Sequence, residues 1–165
     1  MRYTRKLLLM FGLLFTFIFF SAIVFGQKTD SILFKGTAKI IVKNNLSASD
    51  NFKEVGKALI DLGYMIGEKD SEFNQILSDV ITVTDYDNHV KYGQIIYVTT
   101  KDNQIILTTR ARNTSTFKAA TFIETKKNFE PTIYNRNKDA KSVLSFRNLE
   151  KLAKVLPSQE IIYSE

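Results

Sequence analysis

Across residues 37–44 (TAKIIVKN) apolar and polar positions alternate, with Ala38, Ile40 and Val42 on one side and Lys39, Ile41 and Lys43 on the other. A period of two is the signature of a half-buried strand. The polar stretch from Asn44 to Asn51 ends it, and Ser49 or Asp50 is placed to cap a following helix by accepting backbone N–H bonds. At about 100° per residue, Phe52, Val55, Gly56, Leu59 and Leu62 share one face of that helix, while Lys53, Glu54, Lys57 and Asp61 share the other. Gly63 stands where a left-handed residue would close it.

After Tyr64-Met65-Ile66 the polar run from Gly67 to Asp70 predicts a turn, and residues 73–77 and 80–84 predict short strands. The clearest hairpin pairs residues 92–100 with 104–112 across Lys101-Asp102-Asn103. In its second arm Ile105, Leu107 and Ala111 face one way and Ile106, Thr108, Arg110 and Arg112 the other, so one face packs and the other meets water. Residues 114–137 carry no clear period, and a strand is expected near 116–124. From Asp139 a second helix puts Ser145, Phe146, Leu149, Leu152, Ala153 and Leu156 on one face and Arg147, Lys151 and Lys154 opposite, with Pro157 just past its end. The order strand, helix, four or five strands, helix predicts an α+β fold: an antiparallel sheet of about five strands with two helices packed on one face.

The N-terminus changes the reading of the charge. Arg2, Arg5 and Lys6 precede a run from Leu7 to Phe25 without a charged residue, the layout of a secretory signal peptide, and Val24-Phe25-Gly26 offers a cleavage site ahead of Gln27. Residues 1–26 are therefore expected to be a signal peptide and 27–165 a single α+β domain. A retained anchor is the alternative, because the uncharged run nears the roughly 20 residues that span a bilayer. Either way the positive N-terminus would stay inside and the domain would lie outside. A periplasmic or secreted location follows, with a membrane partner only if the segment is uncleaved.

The signal segment holds three of the 23 basic residues and no acid, so the mature chain has 20 against 17, a net of +3. That is too mild to imply a polyanion on its own. The charge is uneven, however, running −2 over residues 27–99 and +5 over 100–165. The chain has no cysteine, which removes disulfides, a cysteine nucleophile and a lipoprotein anchor, and leaves packing to hold the domain together.

Candidate chemistry is sparse. One histidine, His89, and no cysteine exclude a zinc or copper site of nitrogen and sulfur ligands, and no Gly-x-Ser-x-Gly turn presents a serine. No glycine-rich phosphate loop is present. Asp85-Tyr86-Asp87-Asn88-His89 offers oxygen ligands for calcium but has Val90 and Ile96 where an EF-hand needs Gly and an acid; a loop between strands accounts for it directly. Glu68, Asp70 and Glu72 could in principle supply a glycosidase pair. No catalytic, cofactor-binding or metal residue is assigned, and no cofactor is expected.

The residues placed to meet a partner are the basic face of the last helix, Arg147, Lys151 and Lys154, joined by Arg110 and Arg112 of the hairpin. Tyr92 and Tyr97 could stack on bases, yet the small net charge and the exported address argue against nucleic acid. The strand-helix-strands-helix order, with Gly63-Tyr64 directly after the first helix, resembles small uncharacterised secreted domains of Gram-negative bacteria with a TATA-binding-protein-like fold, over roughly residues 34–113. The resemblance implies that fold, brings no functional residues, and says nothing of DNA. The function expected is an exported, non-catalytic module that binds a protein or glycan; the alternatives are a carboxylate-dependent hydrolase of an envelope polymer, using acids among Glu68, Asp70, Glu72, Asp85 and Asp87, and a calcium-stabilised structural domain.

Overall fold

The computed structural model describes residues 29–85, 90–113, 129–135 and 140–165. Their strands are β1 (Thr29–Asp30), β2 (Lys39–Lys43), β3 (Ile66–Asp70), β4 (Gln75–Ser78), β5 (Ile81–Asp85), β6 (Val90–Lys101), β7 (Gln104–Asn113), β8 (Glu130–Pro131) and β9 (Glu160–Ser164); their helices are α1 (Ala48–Asp61) and α2 (Ala140–Val155). All the pairings are antiparallel, in the order β1-β9-β2-β7-β6-β4-β3, with β5 also on β6 and β8 also on β7. The α+β class holds, but the sheet has nine strands among the described residues rather than about five.

The extra strands have particular causes. β6 and β7 are long, and each is met along its outer side by two shorter strands laid end to end: β4 and β5 on β6, β2 and β8 on β7. Between the pairs Leu77↔Tyr97 and Ile81↔Gln94 one strand advances four residues and the other three, which is the count of a bulge. The run Gly67–Asp70, expected as a turn, is instead part of β3, the last strand of the sheet. A register shift between Ile66 and Glu68 and the charges of Glu68, Lys69 and Asp70 suit an outer edge, because charge and irregularity discourage pairing with another chain. β9 enters the interior of the sheet from the far end of the chain, between β1 and β2, and β1 and β8 are too short to show a period. The strand expected near 116–124 lies outside the described residues.

Helix α1 begins one cap earlier than expected. Ser47, rather than Ser49 or Asp50, accepts the Asp50 N–H at 3.1 Å, and its hydroxyl donates to Asp50 Oδ2 at 2.8 Å. Its end is a Schellman closure: Gly63 takes φ +78°, the Tyr64 N–H donates to Leu59 O at 2.8 Å and the Gly63 N–H to Ile60 O at 2.8 Å. Both helices cover one side of the sheet. Ile40, Val42, Val98 and Leu107 from the strands meet Leu59 of α1 and Phe146, Leu149 and Leu152 of α2, all buried in one cluster. Each such side chain fully buried contributes on the order of 1.5–3 kcal/mol, so the core can replace the absent disulfides.

Two polar clusters set how the layers sit. Asn44 and Asn51 are buried; Asn44 Nδ2 donates to Asn51 Oδ1 at 2.7 Å and to Pro157 O at 3.1 Å, and Asn51 Nδ2 donates to Lys101 O at 2.9 Å. These bonds join the end of β2, helix α1, the β6–β7 turn and the chain after α2. Gln94, fully buried on β6, donates to Thr109 Oγ1 and Ser145 O, both at 2.9 Å, and accepts from Asn148 Nδ2 at 2.8 Å, which ties α2 to the middle of the sheet. Among the described residues no helix is long and apolar enough to cross a membrane.

Candidate functional site

One face of the sheet is covered by the helices; alternation along the strands defines what stands on the other. The register lines up Ile162, Ile41, Ile106, Thr99 and Gln75 across β9, β2, β7, β6 and β4. Next to this row on one side lie Glu160, Lys43, Gln104 and Lys101, and on the other Ser164, Lys39, Thr108, Tyr97 and Leu77. Ile41, Ile106 and Ile162 are half-buried, whereas Lys43, Lys101 and Arg110 are exposed.

Charge on this face is one-sided at its centre. The adjacent strands β2, β7 and β6 put Lys39, Lys43, Lys101 and Arg110 there and no acidic residue, with Lys91 and Arg112 at the far end of the same face. Among the described residues the strand acids on this face are Glu160 on β9, the neighbour of β2, which pairs with Lys43 at 3.5 Å, and Glu68 and Asp70 on the edge strand β3. Arg110 lies with its guanidinium carbon 4.9 Å from the centre of the Tyr97 ring, a cation–π arrangement worth about 0.5–1 kcal/mol at an exposed site. The ring is therefore occupied and the guanidinium is held over the row that contains Tyr97 and Lys39.

The partner-binding residues expected from sequence separate in space. Arg147, Lys151 and Lys154 are exposed on the outer side of α2, across the molecule from the open face, so they do not join Arg110. Arg112 is only 8% exposed and stacks on the buried Phe129 ring at 4.9 Å, where a wet position was expected. Gly93 and Ile95 on the same face are buried as well, so the exposed cations on β7 and the near half of β6 run from Arg110 to the turn at Asp102 and Asn103, while Lys91 is exposed beyond the buried stretch. The lysines of β2 and Lys101, which sequence reasoning did not single out, complete this patch. Lys39, Ile41 and Lys43 on one side of the β2 alternation were the signal that could have found them.

Of the acids considered for hydrolysis, Glu68 and Asp70 stand two residues apart on β3, at the open-face positions of its register. Asp70 Oδ1 accepts the Glu72 N–H at 3.0 Å and the Phe73 N–H at 2.9 Å, the bonds of a turn between β3 and β4. Two shallow hollows lie beside α1, of about 410 Å³ and 730 Å³, and each has one carboxylate on its wall, Asp61 in the first and Glu68 in the second. Asp85 ends β5 and pairs in register with Val90 of β6; Asp87 and His89 lie outside the described residues. Among the described residues no group of three or more acids or histidines could hold a metal ion. No protein-family model matches the chain, and a search of curated proteins finds no match.

Proposed function

We propose that this protein is an exported, non-catalytic module that binds an acidic macromolecule through the open face of its sheet. The observation that carries the reading is the run of basic and absent acidic side chains across β2, β7 and β6. An acidic partner complements a face of this charge and is steered toward it. Arg110, braced on Tyr97, loses little freedom when it meets a carboxylate, and a guanidinium fits that group with two parallel bonds. Export is supported by Arg2, Arg5 and Lys6 ahead of an uncharged run. Helix α2 is the competing surface, because Arg147, Lys151 and Lys154 are exposed there too.

Charge reversal separates the two surfaces. Binding of the purified protein to immobilised polyglutamate near physiological salt is expected to fall about tenfold or more, some 1.4 kcal/mol, in Lys39→Glu with Arg110→Glu. It is expected to change less than about twofold in Arg147→Glu with Lys151→Glu, because isolated charges on a helix surface contribute little. Loss from the helix pair with the sheet pair unaffected contradicts the reading.

A further inference from the structure

We infer that the acidic partner presents an amphipathic helix, which lies across the strands along the row Ile162, Ile41, Ile106. The inference rests on the reading that the open face binds an acidic macromolecule, and it names the element that does so. A simple polyanion needs only charge, yet the middle of this face is apolar. The three isoleucines stand on adjacent strands, so they form a stripe about 10 Å long at the usual strand spacing of roughly 4.8 Å. An α-helix places one side chain per turn along a face, about 5.4 Å apart, close to that spacing. A helix running along the row thus sets one apolar residue over each strand.

The cations are disposed to match. Lys101 lies in the row on one side of the isoleucines, which also holds the Lys43–Glu160 ion pair; Lys39 lies in the row on the other, together with the Arg110 guanidinium over Tyr97. Each of these rows is two residues from the isoleucines, about 7 Å along the strands. A helix is about 10–12 Å across with its side chains, so acidic residues on both flanks of its apolar stripe would reach the two cationic rows together. An anionic polysaccharide has no apolar ridge to cover Ile41 and Ile106, which leaves that surface wet.

The chain's own described helices do not supply this element. The outer side of α2 carries Arg147, Lys151 and Lys154, and that of α1 mixes Lys53 and Lys57 with Glu54 and Asp61. Two copies set face to face would oppose their cations. Neither described helix nor a second copy matches the face, and the occupant inferred is a different protein.

The test uses the protein as purified from the cells that make it and three probes of equal charge: a designed helical peptide with leucines in one stripe and glutamates on both flanks, the same composition scrambled, and polyglutamate. Fluorescence anisotropy is expected to show the amphipathic peptide binding about tenfold or more tightly than either other probe. Amide shifts should centre on Ile41, Ile106 and Ile162, and Ile106→Thr, which keeps a β-branched residue on the strand, should remove most of the advantage. Equal binding of all three probes overturns the helix while leaving an acidic partner standing. Binding of none overturns both, and amide shifts confined to α2 overturn the assignment of the face.

Discussion

Asn51 and Tyr163 show how single side chains hold this domain together without a disulfide. Asn51 sits on the buried side of α1 and bonds at once to Asn44 and to the carbonyl of Lys101. Asn51→Ala leaves buried polar groups without their partner, and an unsatisfied buried group costs about 1–3 kcal/mol; urea unfolding should show a loss near the top of that range. Tyr163 donates to Glu150 Oε1 at 2.9 Å, and burial first, then the Glu150 carboxylate, push its pKa up to about 12. A phenol whose folded pKa lies above the unfolded value of about 10 contributes stability that is complete below that value and lost as pH rises through the folded one. Tyr163→Phe should therefore lower stability at neutral pH by about 0.5–1.5 kcal/mol and flatten the decline above about pH 10 relative to wild type. Parallel decline in both proteins, followed by melts across that range, contradicts the assignment. Neither residue was visible as special beforehand: a buried asparagine on a helix face and a tyrosine near the chain end look like ordinary surface residues until their partners, far away in sequence, are placed.

The elements were legible in proportion to their periodicity. Helices α1 and α2, strand β2 and the β6–β7 hairpin each run through several full periods, so their buried faces are readable residue by residue, and Val55, Leu59, Phe146 and Leu149 are buried as their spacing requires. β1 and β8 have two residues each and show no period. β3 is polar because it is an edge, and polarity looks like a turn when the neighbour it pairs with is unknown. Gly56 within α1 and Gly63 just past its C-cap illustrate the difference between an expendable and a needed glycine. Gly63 has φ +78° with nothing near a would-be Cβ, so Gly63→Ala meets only backbone strain, about 1 kcal/mol or more. Gly56 has helical geometry, and a Cβ there would meet Lys69 Nζ at an ordinary 3.8 Å. Gly56→Ala should instead stabilise by about 0.5–1 kcal/mol through helix propensity. Midpoints of urea unfolding moving in opposite directions support this; both falling together contradicts it.

For the molecule taken whole, the described helices cover one face of the sheet, and the charge of the other is set by which residues alternate outward on β2, β6 and β7. That combination was only half readable. The outward side of β7 was plain from its own alternation, but the joining of Lys39, Lys43 and Lys101 to Arg110 depends on β2 pairing with β7, a contact between segments far apart in the chain. The grouping of Arg110 with the last helix failed for the same reason, because net charge along a chain does not say which side of a sheet a helix covers. The proposed role requires that a partner meet the open face. The direct measurement is photo-crosslinking in the cells that make the protein, with the reactive residue placed at Thr108 among the cations or at Lys151 on α2. A discrete adduct from Thr108, lost in Lys39→Glu with Arg110→Glu and absent from Lys151, is the result predicted; an adduct from Lys151 alone would contradict it.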